Sequence, residues 1–326
     1  MKILIIKLGA LGDVVRTLPI AEALKKKYPN SEITWLTKQN ALELFENHPF
    51  VNKAFAIPFI TQNKFDILYN FDIEKEATNL AKEIEADKKL GFYIEASYPT
   101  AFNLGAEYYL NTLFDDELKK TNKKTYQEMM FEAAELAYNK EKPTINLNKK
   151  DIDYAQDFVK KNQIDIKKLI GIHIGGGGTR WPSKAWSTEK IKEFVIKAKE
   201  KCYEIFLLAG PDEIEKQQSL LEELKDKNIK IYTNNPNNTI KQFSALVNLC
   251  QKIICSDSFS LHISLAMQKP TIGLFFCTTP HEVEGYGLLK KIIAPLFDKF
   301  FPEKQDQFSE ELINSISAED VLSILE

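Results

Sequence analysis

Apolar residues in this chain fall into short β-rich runs separated by stretches in which they recur every three or four positions. In the first half the runs at 2–6, 33–36, 54–57, 67–71 and 90–92 read as strands. The amphipathic stretches at 19–27, 41–46, 75–85 and 126–137 read as helices, with a further helix beginning near Val14. Strands alternating with helices predict a mostly parallel, doubly wound α/β sheet. Pro19 lacks a backbone N–H, so it either kinks the first helix or marks a first turn.

Lys142-Pro143-Thr144-Ile145-Asn146-Leu147 breaks the alternation and reads as a linker, followed by a polar helix over 150–161. The grammar then restarts. A strand at 169–174 enters four consecutive glycines, 175–178. Helices follow at 187–200, 217–225, 240–248 (with Thr239 as N-cap) and 259–267. Strands are expected at 205–209, 229–232, 252–256 and 271–275. The chain therefore reads as two similar Rossmann-like α/β domains, 1–147 and 148–326, facing a cleft that holds ligands. The tail after Lys290 has no assigned role and is free to pack back on the first domain.

A length of 326 residues and an apolar fraction of 44% suit two domains, each with its own core. The net charge of -3 argues against a general nucleic-acid binder. Cys202, Cys250, Cys255 and Cys277 lack zinc-knuckle spacing, and the pair flanking the strand near 253 reads as buried thiols. The opening apolar run is too short for a secretory leader, and no stretch is long enough to span a membrane. A cytoplasmic protein is expected, with peripheral membrane contact left open.

Three strand-to-helix junctions carry candidate chemistry. The first is Lys7-Leu8-Gly9-Ala10-Leu11-Gly12-Asp13, where glycines permit close approach of a ligand. Asp13 stands beyond the carboxyl end of the strand, either as a helix cap or as a site residue. The second runs from Gly175 to Trp186. Gly177 and Gly178 offer backbone N–H groups, and Thr179, Arg180 and Lys184 add a hydroxyl and two cations, chemistry suited to a diphosphate. The Gly-Lys-Ser/Thr ending of a P-loop is missing. The third is Asp257-Ser258-Phe259-Ser260-Leu261-His262. Asp257 and Ser258 are placed to cap a helix whose N-terminus favours phosphate, and His262 lies in its first turns. Gly210-Pro211-Asp212-Glu213 is either a ribose-binding turn or a helix cap. Thr278 to Glu282 is a weaker ligand-contact candidate. Asp151-Ile152-Asp153 spells a metal-type pattern but sits on the polar helix, so no metal site is expected.

Together, and in this order, these segments resemble glycosyltransferase family 9, the ADP-heptose:lipopolysaccharide heptosyltransferases, which have the GT-B fold. The resemblance rests on residues 7–13 with Thr17-Leu18-Pro19, Lys184-x-Trp186, the Gly210–Glu213 turn and the box at 257–262. It implies that Asp13 is the catalytic base and that Lys184, helped by Thr179, holds the donor diphosphate. It further implies that Glu213 contacts the nucleoside and that Asp257, Ser258 and His262 line the donor site. Phe259 stands where the family usually has Gly, which bears on the identity of the sugar.

The expected reaction is inverting and metal-independent, with no cofactor beyond the donor itself. The expected donor is ADP-heptose, and the acceptor is a saccharide or glycolipid of the lipopolysaccharide-core type. Asp13 is expected to be ionised at a helix start. Two other readings compete: a sugar-nucleotide epimerase and a non-catalytic nucleotide-binding module of the same fold. A dinucleotide dehydrogenase is disfavoured, because the opening turn lacks the full Gly-x-Gly-x-x-Gly pattern.

Overall fold

The computed structural model describes residues 1–178 and 180–325. They form two compact units. One is Met1–Asn146 together with His281–Glu284; the other is Leu147–Pro280 together with the segment from Gly285 onward.

The first unit carries β1 (Lys2–Ile6), β2 (Glu32–Thr37), β3 (Lys53–Ala56), β4 (Phe65–Asn70), β5 (Ala86–Glu95) and β6 (Tyr98–Ala101). Their order across the sheet is β3-β2-β1-β4-β5-β6, parallel throughout except for β6, which turns back antiparallel on β5. Ile3, Leu4, Ile5 and Ile6 are fully buried, as expected for a central parallel strand covered on both faces. Leu4, Ile6, Leu36 and Leu68 pack against Ala77 and Ala81 of the helix Lys75–Glu83.

The second unit repeats the plan. Its strands are β7 (Leu169–His173), β8 (Glu204–Leu208), β9 (Tyr232–Thr233), β10 (Lys252–Ser256), β11 (Thr271–Phe275) and β12 (Leu289–Ile293), all parallel. Their order is β12-β11-β10-β7-β8-β9, the same as in the first unit up to direction of reading. The core joins strand residues such as Ile172, Leu207, Ile254 and Leu274 to Phe194 and Val195 of the helix Thr188–Glu200.

Several expectations shift in detail. Pro19 opens its own helix, Pro19–Lys27, directly after Leu11–Thr17. The helix expected at 41–46 is a 3-10 helix, Gln39–Phe45. Periodicity did not mark the helices Leu104–Thr112 and Asp116–Thr121, the strands β6 and β12, or the helices near the C-terminus. The tail belongs to the second unit rather than the first, with Ile316, Val321, Leu322 and Leu325 in its core. Asp151 serves the capping box of Lys149–Asn162, accepting from the Asn148 N–H at 3.0 Å. Cys250, Cys255 and Cys277 are buried free thiols, and burial pushes the Cys250 thiol up to about 12. Among the described residues, no helix is long and apolar enough to cross a membrane.

Candidate active site

In each unit the chain builds the sheet outward in one direction from a central strand, then crosses to the other side. The crossover leaves a crevice at the carboxyl ends of two neighbouring strands, where open α/β sheets place ligands. In the first unit these strands are β1 and β4; in the second they are β7 and β10. The three strand-to-helix junctions singled out from the sequence follow β1, β7 and β10 and so lie at these two switch points.

At the first, the turn after β1 leads into the helix Leu11–Thr17, whose N-cap is Ala10. Asp13 lies in the first turn, where the helix dipole favours a carboxylate. The N-cap position itself is Ala10, which has no side chain able to cap. The Asp13 side chain, 35% exposed, pairs with Arg16 at 2.9 Å. The Arg16 guanidinium lies 3.7 Å from the centre of the Tyr126 ring. The Tyr126 hydroxyl meets Thr17 Oγ1 at 3.0 Å, and Tyr109 packs edge-on against the same ring. Gly12, buried one residue before Asp13, completes the helix start.

Beneath this turn lies a carboxylate that motif reading missed. Asp72, just past the end of β4, is buried and accepts from Leu8 N–H at 3.0 Å and Gly9 N–H at 2.6 Å. Its other oxygen accepts from Glu74 N–H at 3.1 Å. Lys7 Nζ stands 3.4 Å from Asp72 and donates to Phe71 O at 3.0 Å. Burial opposes the Lys7 charge, but Tyr126, Asp72 and Asp13 outweigh it and hold the ammonium above its ordinary range. A Cβ on Gly9 would sit 3.1 Å from Asp72 Oδ2, 3.2 Å from Lys7 Nζ and 3.4 Å from Asp13 Oδ2, so the three charged groups converge on this glycine. A rule of position, an acidic residue just beyond a switch-point strand, would have found Asp72.

At the second switch point, Gly177 and Gly178 adopt positive φ of 81° and 94°, which only glycine takes freely. A Cβ on Gly177 would lie 3.4 Å from Ser258 Cβ, so the loop runs against the start of the helix Phe259–Ala266. Gly176 packs against Lys184 and Ala185, folding the two arms of the loop together. Lys184 Nζ is 3.4 Å from Asp257 Oδ2, and Thr278 Oγ1 donates to that oxygen at 2.8 Å. His262, buried, has Nε2 3.9 Å from Asp257 Oδ1.

Ser258 occupies the N-cap position but makes no side-chain capping bond. Its Oγ and that of Ser260 are buried without a hydrogen-bond partner among the described residues. Asp257, offered by the sequence as a second cap, is instead the partner of Lys184 and Thr278. The structure thus gathers Gly177, Lys184, Asp257, Ser258 and His262.

Glu213 sits at the root of the loop. Its carboxylate accepts from Gly210 N–H at 2.8 Å and lies against Gly175. Phe259 stacks on Phe243 with ring centres 5.9 Å apart, and His173 meets Phe243 edge-on at 6.1 Å. Burial pushes the His173 imidazole below its ordinary value, against the pull of Glu213. Arg180 is exposed and lies over Trp181 at 4.6 Å, outside the cluster. Thr179 lies outside the described residues. His281 and Glu282 group with the first unit, where His281 meets Lys123 at 3.2 Å and Glu282 O accepts from Tyr126 N–H.

The family model for glycosyltransferase family 9 (heptosyltransferase) matches residues 59–310. Lipopolysaccharide heptosyltransferase 1 of Campylobacter coli is 22% identical, covering 100% of this chain and 98% of its own length. A lipooligosaccharide heptosyltransferase 2 of Haemophilus ducreyi is 26% identical over 86% of this chain and 84% of its own. Among solved structures, a family 9 glycosyltransferase from Veillonella parvula superposes with a TM-score of 0.78 at 18% identity, covering 99% of this chain and 95% of that one. The E. coli ADP-heptose lps heptosyltransferase II gives 0.71 at 16% identity, covering 100% and 97%. These structural likenesses extend over the whole fold.

Proposed function

The chain belongs to glycosyltransferase family 9 and is a glycosyltransferase, and on that premise we propose that it transfers heptose from ADP-heptose to a saccharide or glycolipid acceptor of the lipopolysaccharide-core type. The observation that carries this reading is the convergence of the Gly-rich loop, Lys184 and the N-terminus of Phe259–Ala266 at one switch point. Loop amides, an ammonium and a helix dipole together are suited to a nucleoside diphosphate. Curated relatives that cover nearly the whole chain are named as heptosyltransferases, which favours heptose as the sugar.

In this reading the donor diphosphate draws Lys184 from Asp257, and Glu213 turns its carboxylate to the ribose. The acceptor hydroxyl gives its proton to Asp13 Oδ while its oxygen attacks the anomeric carbon from the face opposite the nucleotide. The C–O bond to the diphosphate breaks, and the configuration inverts in one displacement. Lys184 and the amide groups carry the charge gained by the leaving group, the role a metal ion fills in other transferases. Such an acceptor brings the enzyme to the cytoplasmic membrane surface by peripheral contact.

A second reading, a nucleotide-binding module without transfer, draws on Phe259, whose half-buried ring stands at the helix start where a sugar would enter. One experiment separates the two. The chain is incubated with ADP-heptose and a core-oligosaccharide acceptor, with and without a chelator, and the product is read by NMR at the anomeric centre. Inverted product formed in both conditions, and lost by about 10²- to 10⁴-fold in a folded Asp13→Asn variant, supports the proposal. ADP binding without transfer favours the module, and full turnover by Asp13→Asn removes Asp13 as base.

A further inference from the structure

The Gly-rich loop has two roots, Ile174 just past the end of β7 and Trp186 just before the N-cap Ser187 of the helix Thr188–Glu200. One side chain bridges them. Lys216 Nζ donates to Ile174 O at 2.9 Å and to Trp186 O at 3.0 Å. Lys216 lies in the first turn of the helix Ile214–Asp226, three residues after Glu213, which itself lies against Gly175. A single helix start thus supplies a carboxylate against the loop's first residue and an ammonium across its neck. Trp186 is fixed separately: it is buried, and its indole N–H donates to Ile316 O at 3.0 Å. The rest of the loop, 175–185, carries the Gly177–Ser258 contact and the Lys184–Asp257 pair.

We propose that Lys216 is a positioning residue for donor binding: its ammonium clasps both ends of the 175–185 loop and so presents Lys184 and the glycine amides in register with the helix start at Ser258. Lys216 touches no reacting atom and acts through the loop. A loop held closed at its neck has less conformational freedom to lose when a ligand binds. A bond from a charged donor to a carbonyl is stronger than a neutral one, so the clasp depends on the ammonium. Burial pushes Lys216 down to about 8, opposed by Glu213 and by Glu189 on the neighbouring helix. No motif signalled this residue, because its partners are backbone atoms.

The inference rests on the reading that this loop receives the donor diphosphate, and the test separates the two. Lys216→Met and Lys216→Arg are made in the full chain. ADP affinity is measured by calorimetry, and trypsin cleavage after Arg180 and Lys184 is followed by mass spectrometry. In Lys216→Met the ADP Kd is expected to rise about tenfold, with cleavage within the loop accelerated. The donor KM should rise while kcat changes less than threefold (about half a log unit, small beside the effect of losing a base). Lys216→Arg, which can also donate to two carbonyls, should recover most of the affinity. If Lys216→Met fails to fold, Lys216→Arg and Lys216→Gln carry the comparison. Unchanged ADP affinity and unchanged loop cleavage in folded variants overturn the clasp. Faster cleavage with no ADP binding by the wild type keeps the clasp and overturns the donor reading.

Discussion

The Asp72 carboxylate holds the backbone N–H of Gly9 at 2.6 Å, and through it the turn that sets Asp13 at the start of its helix. Asp72 and Lys7 are both buried, so removing one leaves the other's charge without its partner. Asp72→Ala is expected to cost about 3–5 kcal/mol of stability, measured by denaturant unfolding. The companion change Lys7→Met in the same chain should return much of that loss. In Asp72→Asn, which keeps part of the hydrogen bonding, turnover should fall while ADP affinity on the second unit stays within about twofold of wild type. Equal loss of ADP binding would mean that Asp72 supports the protein as a whole and not this turn.

Gly175 tests the other unit by size alone. A Cβ there would lie 2.0 Å from Glu213 Oε1, so Gly175→Ala must displace that carboxylate. The atoms that give way belong to a side chain, and the fold should tolerate the change. The expected result is a melting temperature close to wild type with ADP binding weakened about tenfold. Wild-type affinity would separate Glu213 from the nucleoside.

His48 sets a pH dependence of stability. It is 7% exposed and lies among Phe45 and Phe50, and burial pushes its imidazole down to about 4. Above its unfolded value near 6.5, His48 is neutral in both states. Between 6.5 and 4 the unfolded chain takes up the proton and the folded chain does not. Stability from this site is therefore full above about pH 6.5 and is lost as pH falls through 4, by about 3 kcal/mol. Denaturant unfolding of wild type and His48→Phe from pH 7 to 4 should show the variant losing less stability on acidification. Parallel curves would assign the acid sensitivity elsewhere.

Phe259 bears on which sugar is accepted. It is the first residue of Phe259–Ala266 and stacks on Phe243. Phe259→Gly removes a ring from the helix start and should change the ratio of kcat/KM between ADP-heptose and an ADP-hexose by about tenfold, within the range a hydrophobic pocket wall supplies. ADP alone should bind nearly as before. An unchanged ratio would put the sugar pocket elsewhere.

Much of the fold was legible in the sequence because parallel central strands leave a local record. The mostly apolar runs 2–6 and 271–275, read as strands, have the same limits as β1 and β11. Thr239 was readable as an N-cap, and with Gln242 it forms a full capping box. Elements packed by one weak face were not legible. Leu104–Thr112 buries only Ala106 and Thr112, and β12 is largely exposed, so neither shows a clean period. The chemistry divided along similar lines. Lys184, Asp257 and Ser258 sit next to glycines or strand ends and announce themselves. Asp72 and Lys216 act on backbone, and Arg16 lies over the distant Tyr126 ring, through contacts that only the folded chain creates.

The two units share a strand order but differ in what already fills their switch points. In the first, the amides of Leu8 and Gly9 are taken by Asp72, a built-in anion at the carboxyl end of the strands. A phosphate arriving there would have to evict a buried carboxylate already matched to Lys7. On the proposed reading, this occupied seat suits the first unit to a guest that brings a hydroxyl rather than a phosphate.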